Sequence, residues 1–333
     1  MDSLFLTNLT APPLLFFFLG ALAVFARSDL EIPTQVAKFL SLYLLFAIGF
    51  KGGVALAENE LGAEALLTIL SALVLSAVVP VYTFFLLRRW LAVADAAAVA
   101  ATYGSISAVT FVTAAGYLDA AGVNWSGYLV AAMALMESPA IIIGILFYQL
   151  YAGRQEGDGQ IRWGELFRES CLNGSVFLII GSLLIGWITG EQGMSQISPL
   201  VEGLFIGVLC LFLLDMGIVA ARRLQDLRHA AQADDAGFSV PRLVMFALIF
   251  PVCNALLAAV FAAFIGLGEG DAVLLIVLGA SASYIAVPAA MRLALPQASP
   301  GIYLPMSLAV TFPFNLLIGI PAYHQAVRWW LTG

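Results

Sequence analysis

Two stretches of this chain share one unusual design. Residues 95–116 read DAAAVAATYGSISAVTFVTAAG, and residues 271–290 read DAVLLIVLGASASYIAVPAA. Each is apolar and about long enough to cross a bilayer, yet each carries a Gly/Ser-rich break in its middle. A constant shift of 176 lays one on the other, putting Asp95 on Asp271, Ser105 on Ser281 and Ser107 on Ser283. Lipid offers backbone no hydrogen bonds, so a non-helical break at membrane depth survives only inside protein or beside water. Interruptions at matching positions of two halves point to a midplane substrate site in a secondary transporter.

Composition agrees. Hydrophobic residues make up 62% of the 333 positions and charged residues 11%, where a soluble domain keeps about 25% charged. Mean hydropathy is +0.99. Ten apolar runs of spanning length occur, at about 11–26, 36–56, 64–87, 93–116, 125–151, 172–190, 199–220, 241–266, 271–291 and 302–327. The expected fold class is an all-α polytopic membrane protein of ten transmembrane helices. The opening MDSLFLTNLTAPPLLFFF lacks the basic region of a secretory signal, so the first span is expected to be retained.

The loops test that count. Connections after odd-numbered spans hold Arg27, Lys38, Arg88, Arg89, Arg154, Arg162, Arg168, Arg222, Arg223, Arg228, Arg242 and Arg292, which is 12 of the 14 basic residues. The opposite side carries Asp2, Glu58, Glu60, Glu64, Asp119, Glu191, Glu202, Glu269 and Asp271. Basic residues mark the cytoplasmic side, so both termini are expected outside. The net charge of −7 then reflects acidic outer loops. Nucleic acid is excluded as a partner, for no basic patch with interleaved aromatics exists. Cys171, Cys210 and Cys253 stand apart, with no disulfide or metal spacing. No P-loop, zinc-protease motif or His/Cys cluster suggests an enzyme.

The repeat extends beyond the broken spans. Tyr128-Leu129 falls on Tyr303-Leu304 and Tyr148 on Tyr323 at a shift of 175, and Pro80-Val81 falls on Pro251-Val252 at 171. A five-span unit is odd, so its second copy enters the membrane from the other side, giving two inverted repeats. We expect the first repeat at 1–152, a cytoplasmic connector at 153–171 and the second repeat at 172–333. Two polar stretches, 152–170 and 221–239, read as cytoplasmic connectors with short surface helices; a docking surface for a regulator is the other reading.

Chemistry concentrates at the breaks. Each second half-helix presents unpaired N–H groups and about half a positive charge at its start, and inversion aims the two starts at each other. With hydroxyls from Ser105, Ser107, Ser281 and Ser283 they form a pocket suited to a small monovalent oxyanion. The preceding half-helices end in bare carbonyls, which suit a hard cation such as sodium. Ionisable groups in spans are functional by default. Glu137 and Ser138 (LMESPAIIIG), with Thr311 and Asn315 in the equivalent span, are candidate sodium ligands, and Thr102 before the first break completes the set. Lys51 and Asp215 are expected to snorkel toward an interface or to pair with each other.

The stretches SASYIAVPAAMRLALPQASPGIYLPMSLAVTFPFNLLIGIP (281–321), TYGSISAVTFVTA (102–114) and MALMESPAIIIG (133–144) resemble the cyanobacterial-type sodium-dependent bicarbonate transporter family, SbtA. The resemblance implies a sodium/bicarbonate symporter of the bacterial plasma (inner) membrane, importing inorganic carbon in a carbon-concentrating mechanism. It implies a homotrimer, a gate of spans 1, 2, 6 and 7, and a core of the other six that shifts against it. By position it places bicarbonate at Gly104, Ser105, Ser107, Ser281 and Ser283, with sodium as coupling ion and no other cofactor. It also implies a cytoplasmic partner resembling PII regulatory proteins. The residues themselves admit another small monovalent anion, a monocarboxylate, or a passive anion channel.

Overall fold

Alternation of long apolar runs with short polar turns leaves helix as the form in which each run can pair its own backbone. The computed structural model describes residues 10–58, 62–152, 164, 174–231 and 239–332, and among them every regular element is helical. In chain order these are α1 (Pro12–Phe25), α2 (Thr34–Glu58), α3 (Ala63–Leu87), α4 (Val93–Gly104), α5 (Ala108–Ala120) and α6 (Tyr128–Tyr151). Then come α7 (Gly174–Ser198), α8 (Phe205–Ala231), α9 (Val240–Ile265), α10 (Glu269–Ala280), α11 (Ala286–Ala294) and α12 (Pro300–Thr332).

Among the described residues, seven segments are long and apolar enough to cross a membrane. They differ from the ten runs read in the sequence at three places, each with a physical reason. Helix α1 has 14 residues, roughly 21 Å at 1.5 Å per residue. Helices α7 and α8 fall in one apolar run, Gly174–Gln225, joined by a π-helical turn at Pro199–Gly203. Helices α10 and α11 are each short because the break divides them. Gly190, where the sixth run was expected to end, has φ 53° and ψ −149°, and helix resumes beyond it to Ser198. The first part of the 221–239 connector is no separate surface helix, because α8 runs on through Ala231. Apart from Gly164, the 153–171 connector and its docking surface lie outside the described residues.

Two helix pairs pack through glycine. A Cβ at Gly20 would stand 2.0 Å from the Leu214 carbonyl oxygen, and one at Gly217 would stand 2.0 Å from that of Phe17. So α1 and α8 touch backbone to backbone, as small residues permit in membranes. Gly53 against Leu183 (2.1 Å) and Gly186 against Phe50 (2.3 Å) bring α2 and α7 together in the same way. The broken span α4–α5 is by contrast wrapped on all sides, with 94% of its most apolar stretch buried.

The two aspartates matched in the sequence make matching contacts. Asp271, at the start of α10, accepts the Ser126 N–H at 2.6 Å, the Ser126 hydroxyl at 2.7 Å and the Tyr128 hydroxyl at 2.7 Å. Asp95, at the start of α4, accepts the Ser299 N–H at 2.7 Å. Each carboxylate therefore holds the start of the other half's last long helix, α6 or α12.

Candidate functional site

Helix α4 ends at Gly104, and Ser105 to Ser107 run extended before α5 starts at Ala108. Gly104 is fixed by space: a Cβ there would stand 2.2 Å from the Pro80 ring. Helix α10 runs to Ala280, within the Gly/Ser cluster at 279–283, and its break continues to Ile285. The two breaks cross and bind each other. The Ser283 N–H donates to the Thr102 carbonyl at 2.9 Å, and the Ser107 N–H donates to the Ser281 hydroxyl at 3.0 Å. Ser281 passes its own proton to the Leu278 carbonyl at 2.9 Å. Backbone groups that lipid could not serve are thus paired between the halves.

Beside this crossing lies a small cavity of about 20 Å³. Such a volume admits about one water, so an occupant meets the walls directly rather than through a hydration shell. One wall is Ile106, Ser107, Ala108 and Val109; another is Ser283, Tyr284, Ile285 and Ala286. Both walls are half-helix starts, where backbone donors and positive partial charge collect. Glu137 from α6, Ser41 and Leu45 from α2, and Ser175 from α7 close it. The Ser107 oxygen accepts the Thr110 N–H at 3.2 Å, and the Ser283 oxygen accepts the Val287 N–H at 3.4 Å. A serine oxygen that accepts in this way leaves its hydroxyl proton for another acceptor.

The residues singled out in the sequence therefore separate. Ser107, Ser283 and Glu137 share the cavity. Ser281 lies behind it, holding Ser107, and Ser105 donates to the Glu137 carbonyl at 3.4 Å. Gly104 packs on α3 and meets Ala140 of α6. Of the sodium candidates, Thr102 is fully buried, and among the described residues its hydroxyl has no hydrogen-bond partner. Thr311 donates to the Ala247 carbonyl at 2.8 Å, so Tyr103, 2.8 Å away, donates to Thr311. Asn315 donates to the Ala280 carbonyl at 2.8 Å, covering the end of α10, and accepts from Tyr323 at 3.2 Å. Both stand in the π-helical stretches of α12, Pro305–Thr311 and Asn315–Gly319, whose wider turns redirect side chains. Ser138 lines an apolar groove with Leu135, Ile142, Val176 and Ile180.

Two further placements correct the reading of the sequence. Lys51 pairs with Asp119 at the end of α5, not with Asp215, and its ammonium also lies 5.5 Å from the Trp125 ring centre. Asp215 does not snorkel, being only 7% exposed. The partner of Lys51 comes from a helix distant in sequence, so periodicity carried no sign of it. Tyr284, inside the second break, drew no notice as a functional residue. A hydroxyl-bearing aromatic between Ser283 and a half-helix start was the available signal.

Crossed, broken helices buried in a helical membrane protein, with hydroxyls and helix starts facing one cavity, are the kind of arrangement in which secondary transporters hold their substrates. The chain belongs to the Na+-dependent bicarbonate transporter superfamily, whose family model matches residues 12–328. That is a family of transporters and not of enzymes. Comparison with curated proteins found no match.

Proposed function

We propose that this protein is a sodium-coupled bicarbonate symporter that imports inorganic carbon across the plasma membrane by alternating access. The observation that carries the reading is the cavity where Ser107, Ser283 and both half-helix starts meet. Two helix starts supply about one positive charge, and the capping serines supply donors, which match one monovalent oxyanion. Ser105, Ser281 and Gly104 build the breaks that hold those groups. Sodium is bound nearby. Thr102 and Glu137 are the favoured ligands, since among the described residues the buried Thr102 hydroxyl has no hydrogen-bond partner and Glu137 lines the cavity. Asn315 steadies the carbonyl end of α10, and Thr311 ties α12 to the Ala247 carbonyl of α9.

Counting α1, both helices of 174–231 and the broken α10–α11 as spans gives ten, with both termini outside. The reciprocal grip of Asp95 and Asp271 supports two inverted repeats. The glycine-seamed helices α1, α2, α7 and α8 form the gate, and α3–α6 with α9–α12 form the core that moves against it. A homotrimer and a PII-like cytoplasmic regulator belong to the same reading, resting on the family alone.

Uptake of labelled bicarbonate into proteoliposomes, with and without an inward sodium gradient, tests it. Accumulation above equilibrium only with the gradient is the expected result. Sodium-independent equilibration makes the protein a channel or uniporter, and no uptake by folded, inserted protein removes bicarbonate as the substrate.

A further inference from the structure

We propose that Tyr284 is a third hydroxyl ligand of the transported anion, completing the donor set begun by Ser107 and Ser283; this rests on the anion-site reading above. Tyr284 lines the same cavity. The residue is 8% exposed, and among the described residues its buried hydroxyl lies beside that of Ser107 but forms no well-aligned hydrogen bond. A phenol desolvated without an acceptor is costly, and an anion in the cavity removes that cost. It stands beside two half-helix starts, α5 of 13 residues and α11 of 9, so backbone donors and the phenol converge on one volume. The ring is held by the packing around it. It meets Phe312 edge-on at 5.5 Å, and Phe312 meets Phe17 of α1 at 5.9 Å.

Chemistry assigns the three hydroxyls one direction. Ser107 and Ser283 use their oxygens to accept the Thr110 and Val287 N–H groups, and the Tyr284 phenol lies beside the Ser107 hydroxyl, so an anion in the cavity is the acceptor toward which all three can turn their protons. Three donors on the walls of one small cavity match the two charged oxygens of bicarbonate, each of which accepts more than one hydrogen bond. Of the three groups, the phenol is the most acidic donor.

The test is Tyr284→Phe in proteoliposomes at saturating sodium, with Ser107→Ala measured beside it. Phenylalanine keeps the ring against Phe312 and removes only the hydroxyl. A hydrogen bond to a charged group lost here raises KM for bicarbonate about tenfold or more, with Vmax and the sodium activation curve unchanged. The bicarbonate-induced rise in melting temperature of the detergent-solubilised protein shrinks in parallel, a readout that does not depend on transport. 3-Fluorotyrosine at position 284, nearly isosteric and a stronger donor, lowers KM. Wild-type KM in Tyr284→Phe with a raised KM in Ser107→Ala overturns the role of Tyr284 and keeps the site. Wild-type values in both overturn the site as well. A lowered Vmax and melting temperature at constant KM makes the tyrosine structural and overturns the proposal.

Discussion

Ser107 and Ser281 are joined across the two breaks: the N–H of the first donates to the hydroxyl of the second at 3.0 Å, and Ser281 in turn donates to the Leu278 carbonyl at 2.9 Å. One hydroxyl thus serves the start of one half-helix and the end of another. The bond sets where Ser107 stands, while Ser107 and not Ser281 faces the cavity.

Ser281→Ala therefore acts through position and not through contact. It strands a buried N–H, a loss of about 1–3 kcal/mol, and lets the breaks drift. The expected outcome is a lower melting temperature in detergent and a lower Vmax, with Ser281→Thr restoring both. A changed KM at unchanged stability would make Ser281 a ligand instead.

Ser107→Ala removes a helix cap, about 0.5–2 kcal/mol, Ser283→Ala removes the acceptor of the Val287 N–H, and each removes a donor to the anion. Each raises KM for bicarbonate while the protein still folds and inserts. The double variant is the decisive one, and normal uptake by it removes the breaks as the anion site.

Glu137 reaches the cavity from α6, next to the helix starts. A carboxylate beside an anion site is tolerated when a cation shares the space, which fits coupled binding of sodium and bicarbonate. Glu137→Gln is expected to shift the sodium activation curve to higher concentration by about tenfold, the effect of about 1.4 kcal/mol. An unchanged curve with a changed anion preference would move Glu137 from the cation to the anion.

Lys51 on α2 and Asp119 on α5 form an ion pair, each side chain one-third exposed. In the gate-and-core reading this pair bridges the two bodies at their outer end, so it breaks in every cycle. Joining Cys variants of the two positions with a short thiol cross-linker should stop uptake, and reduction should restore it. Continued uptake by the cross-linked protein would place both helices in one moving body. The static worth of so exposed a pair is small, about 0.2–1 kcal/mol in a double-mutant cycle.

The helical class and the location of both breaks were legible in the residues, for local reasons. Runs such as 64–87 can satisfy their backbone in lipid only as helix. The Gly/Ser clusters at 104–107 and 279–283 mark where that pairing lapses. The alignment of Asp95 with Asp271 also came from the chain alone, though not what either binds. Which serine faces the cavity was not legible, because Ser105, Ser107, Ser281 and Ser283 are chemically alike and differ only in where the extended backbone turns them.

Sequence by itself determined what each segment can be: apolar, helical and broken at two matched places. Tertiary structure decided what each polar group meets. It gave Ser281 to the Ser107 N–H, Asp119 to Lys51, and the Asn315 amide to the Ala280 carbonyl. It also put Tyr284 in the cavity and Ser138 in an apolar groove. Backbone pairing within a helix is settled over four residues, so sequence reveals it. Polar partners in a membrane come from helices distant in the chain, and only packing brings them within reach.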